Sequence, residues 1–178
     1  MVVNYGYQDF VKMMNVWVDI DYMGCRRARR SSAGAIAMLG NHPVKSWSTT
    51  QAIIALSSGE AEYYGIVKGS SVGMGIKSVL ADLGVNVKLR ISTDASAAKG
   101  IASRRGAGKT RHIEVNQLWV QEKVANGEIE LQKVRTQENL ADALTKHVDG
   151  EKLRWHVQSS GQRFREGRHL LMPALDAV

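Results

Sequence analysis

The sequence holds one cysteine, Cys25, in 178 residues. A single thiol excludes an internal disulfide framework and a cysteine zinc cluster, and it fits a reducing, intracellular and cytoplasmic setting. No apolar run approaches the roughly 20 residues of a membrane span, and Met1–Phe10 lacks the basic and apolar blocks of a signal peptide. Internal repeats, low-complexity tracts and any interdomain linker before Asp149 are also missing. Neither a membrane nor a small-molecule cofactor is expected.

What is present is an ordinary apolar content of 44%, enough for one domain with a core, and an excess of positive charge. The net charge of +7 biases the chain toward a polyanion, because displacing counterions from phosphates favours association.

Asn15–Tyr22 alternates, with Val16, Val18 and Ile20 on one face and Trp17, Asp19 and Asp21 on the other. It is expected to be a strand. Ala33–Leu39 and Val44–Ile54, separated by the turn residues Asn41, His42 and Pro43, are the next two. Three strands with short connections predict an antiparallel meander. Ser57 and Glu60 have the spacing of a capping box, followed by a helix to about Leu83. Gly65, Gly69 and Gly73 recur every fourth residue, which predicts close packing of one helix side. Val87–Thr93 is a fourth strand, Asp94–Ala102 a helix, Arg104–Thr110 a loop and Arg111–Ala125 a helix. Glu128–Val134 is a fifth strand and Gln137–Lys146 a final helix. Residues 1–14 are expected to be the stub of an upstream region, 15–148 the domain, and 149–178 a basic tail, packed as a helix or loose.

Four acids sit at edges of these elements: Asp19, Glu60, Asp94 and Asp142. Clustered carboxylates without cysteine or spaced histidine suit the hard cation Mg²⁺, and two such ions serve phosphodiester hydrolysis. Each acid also has a plainer reading. Glu60 fits the capping box, Asp94 fits a helix cap, and Asp142 and Asp19 fit solvated faces. Among the basic residues, Arg26, Arg27, Arg29 and Arg30 follow the first strand, and Lys99, Arg104, Arg105, Lys109 and Arg111 flank Asp94. Phosphate contact is the expected role for Arg29, Arg30 and the five that flank Asp94, with a solvated charge run as the alternative. His42, His147, His156 and His169 lack ligand spacing and are expected at the surface. His112 is expected near a helix start, and Met13, Met14, Met38 and Met74 in the core.

The stretches Arg29–Gly34 (RRSSAG), Leu56–Tyr63 (LSSGEAEY), Ser92–Asp94 (STD), Thr110–Glu114 (TRHIE) and Asn139–Lys146 (NLADALTK) follow one another in order. Together they resemble the ribonuclease H domain of copia-type retrotransposon polyproteins. The resemblance runs from about Val16 to Lys146. It implies an α/β fold, a mixed five-stranded sheet of three antiparallel strands then two parallel, with helices on both faces. By position it implies Asp19, Glu60, Asp94 and Asp142 as catalytic metal ligands, with Asp21 a lesser member and Glu62 solvated. It further implies two Mg²⁺ ions, for which Mn²⁺ substitutes, and an RNA/DNA hybrid as substrate, cut to leave a 3′-hydroxyl and 5′-phosphate. The partner would be the upstream reverse transcriptase of the same polyprotein, inside a virus-like particle for an active element. This sequence departs from the pattern in three places. No tryptophan follows Asp19–Asp21, Gly59 replaces threonine, and Arg135–Asn139 carries no histidine. Two other readings stay open, a non-catalytic nucleic-acid-binding or scaffolding remnant and an integrase-like strand-transfer nuclease.

Overall fold

The alternating segment around Asp19 forms the central strand of a five-stranded mixed sheet. The computed structural model describes residues 2–25, 27, 29–106, 108 and 113–164. In chain order the strands are β1 (Val2–Val3), β2 (Met13–Cys25), β3 (Arg30–Leu39), β4 (His42–Thr50), β5 (Lys88–Thr93), β6 (Ile129–Lys133) and β7 (Gln162–Arg163). The helices are α1 (Ser58–Asp82), α2 (Ser96–Ala102), α3 (Trp119–Ala125) and α4 (Gly150–Ser159). The main sheet runs β4-β3-β2-β5-β6, with β2–β5 and β5–β6 parallel and the other pairs antiparallel. The expected meander followed by two parallel strands is what forms.

Val16, Val18 and Ile20 are buried on one face of β2, and α1 lies across it. A Cβ placed on Gly65 would meet Ile20 Cδ1 at 2.6 Å, one on Gly69 Val18 Cγ1 at 2.6 Å, and one on Gly73 Leu89 Cδ1 at 2.7 Å. The bare stripe thus lets the helix backbone approach the sheet. Three glycines cost ~3 kcal/mol of helix propensity. Burial of Val16, Val18 and Leu89 at ~1.5–3 kcal/mol each outweighs that. Met14 and Met38 are buried in the core, as expected.

Two helices differ from expectation. The segment expected to be helical from Arg111 is a 3₁₀ turn (Val115–Gln117) followed by α3, with residues 109–112 outside the described set. The expected final helix, Gln137–Lys146, is two 3₁₀ turns, Thr136–Glu138 and Asp142–Leu144. Asn139 separates them, because its side chain competes with a continuous backbone ladder. Its Oδ1 accepts from Ala141 N (3.2 Å) while its Nδ2 donates to Val18 O (3.0 Å). Past Asp149, whose carboxylate caps α4 by accepting from Lys152 N at 2.8 Å, the chain returns as β7 to pair with β1. Gln8 and Tyr5 tie the N-terminal segment to the β3–β4 turn, Gln8 Nε2 donating to Leu39 O (2.9 Å) and Tyr5 Oη to Pro43 O (3.1 Å).

Candidate active site

Parallel pairing sets the first two acids side by side. The β2–β5 register ends at Trp17 and Ser92, and two residues further on stand Asp19, still within β2, and Asp94, just past the end of β5. On the other side of β2, Asp19 faces Gly34 of β3. A Cβ there would meet Leu144 Cβ at 2.7 Å and Thr145 Cγ2 at 2.8 Å, so the missing side chain lets the Asp142–Leu144 turn lie on the sheet. Ser48 Oγ donates to Leu144 O at 2.7 Å and pins the turn from β4.

The turn brings three groups to Asp19, which is only 1% exposed. The Thr145 hydroxyl donates to Asp19 Oδ2, and Asn139 Nδ2 stands 3.5 Å from Oδ1. The Lys146 ammonium lies 3.3 Å from Asp19 Oδ1 and 2.6 Å from Asp142 Oδ1, bridging the two acids. Burial pushes the Asp19 carboxyl above its ordinary range. The Thr145 hydrogen bond and Lys146 oppose this, and the charges of Asp94 and Asp142 add to it. Partial burial pulls Lys146 down, but its hydrogen bond to Asp142 and the charge of Asp19 outweigh burial and hold it above the ordinary lysine range.

Glu60, the acid expected in the first turn of the long helix, is bound into that helix start. Glu60 is 2% exposed, and its carboxylate is engaged in starting α1. Oε2 accepts from Leu56 N (2.8 Å), one residue further out than a usual capping box, and Oε1 accepts from Tyr64 Oη (2.6 Å). The Ser57 hydroxyl accepts from Glu60 N at 3.2 Å. Glu62, expected in solvent, is half-buried instead, and its Oε2 is buried without a hydrogen-bond partner among the described residues. Burial and the charges of Asp19 and Asp94 raise its pKa from 4.5 to about 8, against the pull of Lys146. The reason is helical phase. Glu62 lies three residues before Gly65, on the sheet-facing stripe, whereas Glu60 lies five before it and points away. The glycine spacing carried this information in the sequence.

Asp19, Glu62, Asp94 and Asp142 therefore share one electrostatic neighbourhood, beside the middle of β2 and just past the end of β5. Among the described residues no three His, Cys, Asp or Glu side chains are grouped so as to hold a metal ion in this arrangement. The donors are all oxygens, and one of them, Glu62 Oε2, is buried and unpartnered, a set that fits Mg²⁺. Asn139, Thr145 and Lys146 contact Asp19 although the sequence reading gave them no role; their membership of the NLADALTK stretch was the available sign.

The basic residues divide. Arg29 and Arg105 are exposed, and Arg30 and Lys99 are half-buried. Arg104 turns inward, so that a Cβ on Gly108 would meet its guanidinium carbon at 2.8 Å. Lys109 and Arg111, with Arg26, His112 and His169, lie outside the described residues. The buried amide of Gln121 shapes this loop, donating from Nε2 to Ile101 O (2.9 Å) and Gly106 O (3.1 Å). His156, expected at the surface, is buried at 7% exposure, and burial lowers its pKa. His42 is half-buried against Gln8 and the edge of Tyr5.

The sequence is 30% identical over 138 residues to the retrovirus-related Pol polyprotein from transposon TNT 1-94 of Nicotiana tabacum, a match covering 76% of this chain and 10% of the relative. It is 29% identical over 136 residues to the Pol polyprotein from transposon RE1 of Arabidopsis thaliana, covering 75% and 9%. No family model matches. In fold it resembles LC9-RNase H1 (TM-score 0.51, 15% identity, 92% of each chain). It also resembles LC11-RNase H1, isolated from compost (TM-score 0.50, 14% identity, 75% of this chain and 93% of that one). The chain has a ribonuclease H-like fold, and its sequence matches copia-type retrotransposon Pol polyproteins over three quarters of its length. This domain spans about a tenth of the length of the curated relatives it matches. Among the described residues, no helix of the domain is long and apolar enough to cross a membrane.

Proposed function

We propose that this ribonuclease H-like domain is a divalent-metal-dependent endonuclease that hydrolyses the RNA strand of an RNA/DNA hybrid, acting beside the reverse transcriptase of its polyprotein. The observation that carries the reading is that Asp19, buried in β2, feels the charges of Asp94 and Asp142, and that Glu62 of α1 feels those of Asp19 and Asp94, four acids from four separate segments. Like charges repel, so a fold that gathers them needs a cation to offset the cost. Asp19, Glu62, Asp94 and Asp142 would hold Mg²⁺. When bound, two such ions supply Lewis-acid stabilisation for the attacking water and the departing oxygen of a phosphodiester.

The chain's own groups do the rest. Asn139 and Thr145 orient the Asp19 carboxylate, and Gly34 and Ser48 hold the turn that delivers Asp142. Arg29, Arg30, Lys99 and Arg105 would position the phosphate backbone without reading sequence. Selectivity for RNA would rest on the 2′-hydroxyls.

The test compares wild type, Asp19→Asn and Glu62→Gln on an RNA/DNA hybrid and on double-stranded DNA, with Mg²⁺ or Mn²⁺. Cleavage of the RNA strand by wild type alone is expected, with the DNA duplex intact. Equal inertness of all three proteins at high concentration would leave a nucleic-acid-binding remnant as the better reading.

A further inference from the structure

We propose that Lys146 is a tethered counter-ion seated where a divalent cation enters, so that metal binding at Asp19 and Asp142 is an exchange of ammonium for metal. The inference deepens the proposed function and rests on its assignment of the acids.

Three observations support it. The Lys146 ammonium touches one oxygen of each acid, 3.3 Å from Asp19 Oδ1 and 2.6 Å from Asp142 Oδ1. Those oxygens come from separate segments of the fold, and hard oxygen donors of this kind are what Mg²⁺ and Mn²⁺ prefer. Second, Asp19 is almost wholly buried, and a buried carboxylate beside Asp94 and Asp142 needs a cation close by. Lys146 supplies one from within the chain, so the acids stay gathered before metal arrives. Third, the seat is reversible. Lys146 lies four residues past Asp142, its amide donating to Asp142 O at 3.1 Å, and its side chain is 39% exposed. The ammonium can therefore swing into water and recover its hydration without disturbing the backbone. Lysine suits this exchange better than arginine, because an ammonium is a compact point charge whereas a guanidinium fork makes paired, directional bonds.

The exchange is tested on the whole chain with Mn²⁺ alone as the probe. Lys146→Met removes the competitor, and calorimetry should show Mn²⁺ binding about tenfold tighter than in wild type. Lys146→Arg keeps the charge and should bind no tighter than wild type. In EDTA the Met variant should melt below wild type, and the gap should close as Mn²⁺ is added. A wild-type measurement guards against misfolding of the variants: acylation of lysines read by mass spectrometry. Lys146 should be slow to react without metal and faster with Mn²⁺, while the exposed Lys68 stays constant. Unchanged or weaker Mn²⁺ binding by Lys146→Met, absence of binding by both proteins, or a metal-independent acylation rate would each overturn the exchange. Hybrid cleavage is not used, so a chain inert on hybrid that still passes these tests would fail as a nuclease while keeping the exchange.

Discussion

Glu60 and Glu62 differ by two residues and by roughly half a turn of helix, and that half turn separates a capping carboxylate from one that feels the charges of Asp19 and Asp94. Glu62 loses a proton near pH 8 in the fold and near 4.5 when unfolded, so the folded state is the stronger proton binder between these values. Stability is then fully available below the unfolded pKa and falls as pH rises through the folded one. Without divalent ions, Glu62→Gln should be more stable than wild type at about pH 8 by ~1–3 kcal/mol, and indistinguishable at about pH 4. Urea denaturation at the two pH values checks this; a pH-independent difference would refute it. Glu60→Ala should behave oppositely, losing ~1–2 kcal/mol at neutral pH through the freed Leu56 amide and Tyr64 hydroxyl, with Mn²⁺ binding retained.

At the scale of elements, α1 and the Asp142–Leu144 turn approach opposite faces of the sheet, each through glycine. Gly69→Ala adds helix propensity worth ~1 kcal/mol but drives a methyl into Val18, an overpacking cost of ~1–3 kcal/mol. A net loss of stability is expected. Gly75→Ala, with nothing within 4 Å of its added carbon, should gain stability. Thermal melts of the pair separate packing from propensity. Gly34→Val acts on the other face, where the added carbons meet Leu144 and Thr145. It should lift the turn from Asp19 and abolish hybrid cleavage more completely than it lowers the melting temperature, because the turn delivers Asp142 while the core lies on the far face.

Across the whole molecule, the net charge of +7 and the acidic cluster serve different purposes. Affinity for hybrid should fall steeply and linearly on a log–log plot against salt, since the proposed contacts are to phosphate. Arg105→Glu, at an exposed position, should weaken binding without changing the melt. Arg104→Glu should lower the melt as well, because its guanidinium is tucked against Gly108. Fluorescence anisotropy over a salt series, paired with calorimetry, distinguishes the two. A flat salt response would remove the phosphate reading of the basic loops.

Alternation in β2, the Ser57 cap and the glycine stripe of α1 were legible along the chain because they are local, set by periods of two and near four residues. The five ordered motifs made the mixed sheet legible as well. Other features depended on distant partners. Whether Gln137–Lys146 forms a helix or two turns depends on Asn139 reaching Val18, 121 residues earlier. The glycine spacing marks Glu62 as nearer the sheet side of α1, but its nearness to the charges of Asp19 and Asp94 depends on where that helix starts over the sheet. Lys146 finds its two acids only after Gly34 admits the turn onto β2 and β3. Local periodicity determined the strands of the sheet and the long helix α1. The tertiary structure alone decided which charges meet, because Coulomb interactions and burial depend on distance in space and not on separation along the chain.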